Sequence, residues 1–406
     1  MRSDVYWSER VGSLMGQFRF MTAGESHGKG LLVIVEGVPA GLPMSEDYIA
    51  VQLRRRQQGY GRGKRQEIET DRAEIVSGVR HGYTMGGPIG LSIVNRDFAN
   101  QNWQVRMSVA PVEAEVERLT SMRPGHADLA GAIKYGLDDV RPVLERASAR
   151  ETTARVAASA IARRLLEEIG VSIHSHVLAV GEVRADPPES PDWLLVEASP
   201  VRCADPATEP KFIARIDAAR ENQDTVGGVF EVCATGVPIG LGSFVHWDRK
   251  LDGRLAQAIV SMQAVKGVEI GGGFTTASLP GSQVQDVILP RQQWGDRPWQ
   301  HASNRAGGLE GGVTNGEDVV VRGALKPIST LPRPLPSADL LTAELKDAFY
   351  ERADVCVVPA AGVIGEAMVA LVLADAMLDK FGGDNIKETV ANYKAYMQTI
   401  GPRGDA

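Results

Sequence analysis

The segment Gly24-Glu25-Ser26-His27-Gly28 fits G-x-S-x-G, the pattern that holds a serine nucleophile on a tight elbow. Such an elbow follows a strand, and its acid and histidine come later in the chain. Here the serine stands close to the N-terminus, and the apolar run Leu31–Gly37 follows it instead of leading into it. That order argues against a nucleophilic Ser26.

A denser anomaly lies in Arg54–Arg72, where Arg54, Arg55, Arg56, Arg62, Lys64, Arg65 and Arg72 crowd into a chain of net charge −7. Glycines interleave with them in Gly59-Tyr60-Gly61-Arg62-Gly63. Glycine admits close backbone approach, and arginine grips phosphate or carboxylate with two donors. The combination suits a small polyanion. A single-stranded nucleic acid is the competing ligand, with Tyr60 as a stacking surface, but an acidic chain attracts a polyanionic strand poorly.

Three further segments carry chemistry. His126 stands in a Pro-Gly turn between Arg123 and Asp128, where both neighbours can tune it for acid catalysis. Arg146 and Arg150 flank a predicted helix start, a ready phosphate site. Asn304–Thr330 is glycine-rich without matching a dinucleotide or P-loop pattern, and its glycines suggest backbone packed against a flat ligand. Arg352 and Asp354 precede a long apolar run and read as a salt-bridged helix end.

The elements that must position these residues are mixed. Leu31–Gly37, Gly227–Gly236 and Asp318–Leu325 read as strands. Ser148 with Glu151 reads as a capping box opening a helix that ends at Gly170. Asp252 reads as the cap of a helix closed by Lys266-Gly267. No regular βαβ alternation appears, so the class is α+β, expected as one large domain. Glu36–Pro43 and Thr235–Gly242 share G-V-P-x-G-L after a strand-like run, which points to an internal duplication or to two similar turns.

With 406 residues, 43% apolar and 23% charged, the chain has the composition of a soluble globular protein. Three scattered cysteines offer no zinc spacing and point to a reducing cytoplasm. No signal peptide is read at the N-terminus. The run from Cys356 to Leu378 is interrupted by Pro359, Glu366 and Asp375, so it reads as a buried helix and not a membrane span. No metal site is expected.

Taken in order, Gly16–Gly28, Arg123–Asp128, Glu145–Ala157, Gln263–Gly271, Asn304–Gly312, Lys326–Thr330 and Arg352–Cys356 resemble the signature segments of the chorismate synthase family. The likeness runs from about Gly16 to Gly383, with residues 1–15 as an N-terminal extension and 16–406 as one catalytic domain. The resemblance implies a lyase that converts 5-enolpyruvylshikimate 3-phosphate to chorismate and phosphate by anti-1,4-elimination. It also implies reduced FMN without net redox change, NADPH as a possible reductant, helices sandwiched between sheets, and a cytoplasmic homotetramer binding neither nucleic acid nor membrane.

Residue by residue, His27 matches the family's proton donor to the flavin, His126 the donor to the departing phosphate, and Asp354 the acid that assists the flavin as base. Arg146, Ala147 and Ser148, Gln263 and Ala264, Gly311, Lys326, Pro327, Ile328, Ser329 and Thr330, and Arg352 match cofactor contacts. Arg56 and Arg62 match contacts to substrate or nicotinamide phosphate. The competing functional reading is a non-enzymatic RNA-binding protein using Arg54–Arg72. It requires those cations on an open face, whereas the lyase requires them to converge on a pocket.

Overall fold

The computed structural model describes residues 18–63, 70–113, 116–290, 298–351 and 354–402. Two four-stranded antiparallel units organise it. The first unit comprises β1 (Arg19–Gly24), β2 (Gly30–Glu36), β3 (Ala73–Ser77) and β4 (Ile89–Val94), in the order β1-β2-β4-β3. The second unit comprises β5 (Ser172–Val180), β6 (Gly228–Thr235), β7 (Val265–Ile270) and β8 (Val319–Leu325). Its order, β5-β6-β8-β7, repeats the first, with a short strand Val183–Arg184 added beyond β5.

Alternation makes these strands. In β2, Leu31, Val33 and Val35 point inward while Leu32 and Ile34 face out. In β8, Val319, Val321 and Leu325 are buried. One buried face per strand fixes the register, because a one-residue slip would turn every apolar side chain outward.

The helices fill the space between the sheets. Helix α1 (Glu46–Gln57) is capped by Ser45, and α2 (Arg141–Ala147) leads through a 3-10 turn into α3 (Thr152–Glu167). Helix α4 (Leu251–Val260) and α5 (Val358–Phe381) belong to the second half. Alanines 154, 157, 158, 160 and 162 let α3 lie close against α5. Helix α5 is long and apolar enough to cross a membrane, but 94% of its apolar window is buried inside the molecule, so it is the core helix. Each half thus contributes a sheet and a long helix, and one apolar cluster from Phe18 to Ile386 joins them. This is the expected α+β sandwich.

The repeated G-V-P-x-G-L segments bear the same geometry. Gly41 and Gly240 both take positive φ, 84° and 98°, which favours glycine. Gly41 N donates to Thr84 O at 2.8 Å, and Gly240 N to Thr314 O at 2.9 Å. Leu42 N donates to Thr84 Oγ1 at 2.9 Å, and Leu241 N to Thr314 Oγ1 at 2.8 Å. Each threonine hydroxyl donates in turn to the proline carbonyl, Pro39 O at 2.6 Å and Pro238 O at 2.7 Å. Both latches tie the loop after the second strand to a tight hairpin that precedes the strand beside it. The echo is therefore more than similar turn chemistry; the unit is duplicated in three dimensions.

Three expectations are corrected. Helix α4 ends at Val260, and Val265–Ile270 is a strand paired with β8. Helical spacing of Leu255, Ile259 and Met262 disguised the boundary, where Ala264 turns to φ 67° and the β-branched run begins. Asp252 does not cap that helix; Lys250 occupies the N-cap with no side-chain bond. Ser148 and Glu151 do not close a capping box. Ser148 accepts from Arg150 N within the 3-10 turn, while Glu151 accepts from Thr22 and Arg155.

Candidate active site

Strand β1 leads into the Gly24–Gly28 turn and β2 leaves it, so a strand does precede Ser26. No helix follows, however, and an elbow needs one. Ser26 Oγ lies 3.1 Å from Ser148 Oγ. The ring of His27 turns to Glu145, with Nδ1 3.0 Å from both carboxylate oxygens, and His27 N donates to Glu145 Oε2 at 2.7 Å. A hydrolase dyad is not formed. Trp103, on the short helix Gln101–Arg106, stacks on the imidazole at 3.8 Å and 12°. Burial acts to raise the Glu145 carboxyl, but the His27 ring, its backbone N–H and Arg141 hold it below the ordinary range.

The second histidine is built on the Pro124-Gly125 turn that opens the helix Asp128–Tyr135. His126 Nδ1 meets Asp128 Oδ1 and lies 2.9 Å from Arg123 Nη2. Asp128 also accepts from Arg123 N at 3.0 Å and Arg123 Nε at 2.9 Å. Burial opposes its ionisation, yet these donors hold the carboxyl well below the usual carboxylate range. Arg123 Nη1 donates to Thr330 Oγ1 at 3.3 Å. A Cβ placed on Gly125 would come within 3.2 Å of Lys326 Nζ and 3.7 Å of Ser329 Cβ. The Lys326–Thr330 segment therefore lies beside the His126 turn. Burial and the nearby Lys266 push the Lys326 ammonium down.

The remaining candidates join these two clusters across the halves. Lys326 N donates to Ala264 O at 3.0 Å. Gln263 Nε2 lies 3.5 Å from Glu151 Oε2, just past the Arg146–Ser148 segment, while Gln263 Oε1 is buried with no hydrogen-bond partner among the described residues. Ile328 O accepts from Thr225, and Pro327 runs beside Gly227. Arg56 donates to Thr152 Oγ1 and to Ala149 O, both at 2.9 Å. Burial first, then the neighbouring Arg62, pushes Arg56 down to about 9. Arg62 pairs with Asp354 at 3.4 Å, and Asp354 accepts from Gly63 N at 2.5 Å.

Several of the expected site residues also make contacts within the protein. Arg146 donates to Thr22 O, Thr22 Oγ1 and Gly24 O, pinning β1. Arg150 is buried in a pair with Asp71 at 2.7 Å and donates to Asn95 at 2.9 Å. Ala147 closes α2. Gly307 and Gly308 pack against the chain's own backbone at Gly271 and Asp318, not around an open face. Gly311 is not brought to the histidines: it tips the Leu309–Thr314 hairpin, where an added Cβ would meet Phe244 at 3.9 Å. Arg352, and Lys64 and Arg65 of the basic stretch, lie outside the described residues.

Among the described cations of that basic stretch, Arg55 is clamped by Glu366 and Glu197, Arg56 is buried, and Arg62 faces Asp354, while Arg54 and Arg72 are exposed. Arg55, Arg56 and Arg62 thus turn inward and give the RNA-binding reading no support. The motif reading missed Glu145, Asp71, Asn95, Arg141 and Trp103. Glu145 carried a hint as the first residue of the Glu145–Ala157 segment, and Asp71 lies inside the Arg54–Arg72 stretch; Asn95 and Trp103 lie outside every singled-out segment.

A profile of the chorismate synthase family matches residues 18–378. Chorismate synthase of Solibacter usitatus is 56% identical over 394 residues, 94% of this chain and 99% of that one. Its counterpart in Moorella thermoacetica is 54% identical, covering 94% and 100%. A crystal structure of a chorismate synthase, 42% identical, superposes with a TM-score of 0.74 over 94% of this chain and 98% of its own. The chain belongs to the chorismate synthase family.

Proposed function

We propose that the chain is a lyase converting 5-enolpyruvylshikimate 3-phosphate to chorismate and phosphate by anti-1,4-elimination. The observation carrying this reading is the meeting, across both halves, of Arg123–Asp128, Lys326–Thr330, Gln263–Ala264 and Glu145–Thr152. The substrate bears a phosphate and two carboxylates, which matches the inward-turned Arg56, Arg62, Arg123 and Lys326.

Reduced FMN fits the residues present, because Gln263 offers a buried acceptor without a partner to a ligand N–H. Arg146, Ala147, Ser148, Gln263, Ala264, Arg352 and the Lys326–Thr330 segment would hold it, with Gly311 added from the hairpin. When bound, the reduced flavin supplies electron density and recovers it, with no net redox change.

His126 delivers a proton to the departing phosphate through Nε2, since Nδ1 is engaged by Asp128. The guanidiniums and Lys326 neutralise charge as the allylic C–O bond breaks. His27 holds a proton beside the flavin, and Asp354 assists removal of the C6 hydrogen. Arg56 and Arg62 take the substrate phosphate, or a nicotinamide phosphate if NADPH is the reductant.

We also propose residues 16–406 as one catalytic domain in a cytoplasmic homotetramer. All three cysteines are free, and Met21, Leu32, Ile34 and Val94 leave the outer face of the first sheet apolar and exposed for a second copy. The test is anaerobic phosphate release with chemically reduced FMN, with and without NADPH. Release dependent on reduced FMN is expected, and release without flavin contradicts the reading.

A further inference from the structure

Glu145 is 1% exposed, and among the described residues its hydrogen-bond partners outside its own helix are in the Ser26-His27 turn, with Arg141 added. A buried carboxylate is costly unless donors surround it. Here the donors are His27 N, His27 Nδ1 and Arg141 Nη1 at 3.3 Å. Glu145 also uses its backbone, where its carbonyl accepts from Ser26 N at 3.1 Å. Three bonds from one residue thus fix two consecutive residues of the turn.

The chemistry of those bonds determines the state of the imidazole. A carboxylate only accepts, so Nδ1 must carry a hydrogen. Nε2 is then the nitrogen that gains or loses a proton. Because His27 N holds Oε2, the carboxylate cannot rotate away. Trp103 stacks on the ring and fixes its plane. The other charges facing this ring are Asp97, 3.8 Å from Nε2, and the guanidiniums of Arg106 and Arg141 over Trp103 at 5.6 and 5.4 Å. Asp97 sits in a 3-10 turn, so the ring has acids at both nitrogens but a close pair only at Nδ1.

We propose that Glu145 is the positioning residue for His27: it fixes the Nδ1–H tautomer and so leaves Nε2 as the nitrogen for proton transfer. This rests on the reading of His27 as a proton donor in the elimination. Glu145 touches neither substrate nor flavin in this account and acts only through the imidazole. The same device, a buried acid behind Nδ1, recurs at His126 with Asp128, but there Arg123 shares the nitrogen.

The test is nitrogen-15 NMR of the full chain with labelled histidines, without flavin, His27 being assigned by its loss in H27Q. The wild-type ring is expected to carry its hydrogen on Nδ1. In E145Q, which lacks the charged acceptor, that preference is expected to weaken, with an Nε2–H population appearing. E145D should retain Nδ1–H. With reduced FMN, E145Q should lower kcat about 10–100-fold, with KM within about twofold, the cost typical of losing an outer partner.

The double variant H27A/E145Q should be no slower than H27A, because a residue acting through His27 has nothing left to act on. A wild-type Nε2–H tautomer overturns the proposal whether or not E145Q folds. An unchanged Nδ1–H preference in folded E145Q does so too, as does a double variant slower than H27A by the full E145Q factor. If H27A itself turns over normally, the catalytic reading of His27 falls, while the tautomer measurement still judges the positioning of the ring.

Discussion

The unit from Arg19 to Val94 and the unit from Ser172 to Leu325 build the same four-stranded sheet and close it with the same threonine latch. Their loops, however, carry different side chains. At the end of α1 and just beyond it the first half presents Arg56 and Arg62, and beyond α4 the second presents Gln263 and Ala264. After β4 the first half turns through Asn95, which donates to the carbonyls of Glu25, Ser26 and Gly28 and so holds the His27 turn. After β8 the second half delivers Lys326–Thr330 to the His126 turn. One scaffold used twice therefore yields a site with no internal symmetry: the repeat places the loops, and the unrepeated side chains set the chemistry.

The largest predicted effect lies where the halves are clamped. Glu366 on α5 is fully buried and binds Arg55 and Arg163 of the first half and Arg202 of the second. Burial acts to raise its carboxyl, but the three guanidiniums hold it at about 2. Glu366→Ala leaves those cations unpaired and is expected to destabilise the fold by about 3–5 kcal/mol, read by urea unfolding. A folded-state pKa below the unfolded value adds stability that is complete above the unfolded carboxyl pKa, about 4.3. It is lost as pH falls through that value toward the folded pKa of about 2. Wild-type protein should therefore lose more stability between pH 5 and 2 than Glu366→Gln does. Equal losses would remove the clamp from the account.

His126→Ala sharpens the chemical side of the comparison. Loss of a positioned general acid costs about 10²–10⁴ in rate, roughly 3–5 kcal/mol of barrier. The drop should appear in kcat under saturating reduced FMN, with Tm unchanged. A normal kcat would assign phosphate departure to another group.

The two latches are compared directly by Thr84→Val and Thr314→Val. Each removes a hydroxyl that serves one buried N–H and one carbonyl, so each should cost about 1–3 kcal/mol. Similar losses support equivalent roles. A silent Thr314→Val beside a costly Thr84→Val would mean that only the first latch bears load.

The smallest effect is Gln263→Ala, expected to weaken flavin binding about fivefold through one neutral hydrogen bond of roughly 1 kcal/mol. Fluorescence titration measures it. An unchanged dissociation constant would leave the buried Oε1 without a ligand role.

Much of this molecule can be read from its residues. Alternation exposes β2, β6 and β8, and a long apolar run exposes α5 despite Glu366 and Asp375 within it. The order of the short signature segments exposes the family. Strand β1 is harder to find: at the sheet edge its Met21 faces out, so Arg19–Gly24 lacks an apolar alternation. The end of α4 is hidden because Met262 is buried at a helical interval while its backbone has already left the helix. In the site, residue types point to the histidines, but their partners are set by tertiary packing. Nothing local in the sequence joins Arg56 to Thr152, Arg150 to Asp71, or Trp103 to His27. The same holds for Arg146, whose carbonyl partners on β1 are invisible in a pattern of side chains.

The central claim is that the Gly24–Gly28 turn serves proton transfer through His27 and not nucleophilic attack through Ser26. Single-turnover chorismate formation, with reduced FMN in excess, tests it most directly in Ser26→Ala and His27→Ala. His27→Ala should be slowed by about 10²–10⁴ with its fold intact. Ser26→Ala should be slowed about tenfold, through the lost contact to Ser148. An inactive Ser26→Ala beside a fully active His27→Ala would contradict the account and restore the serine as nucleophile.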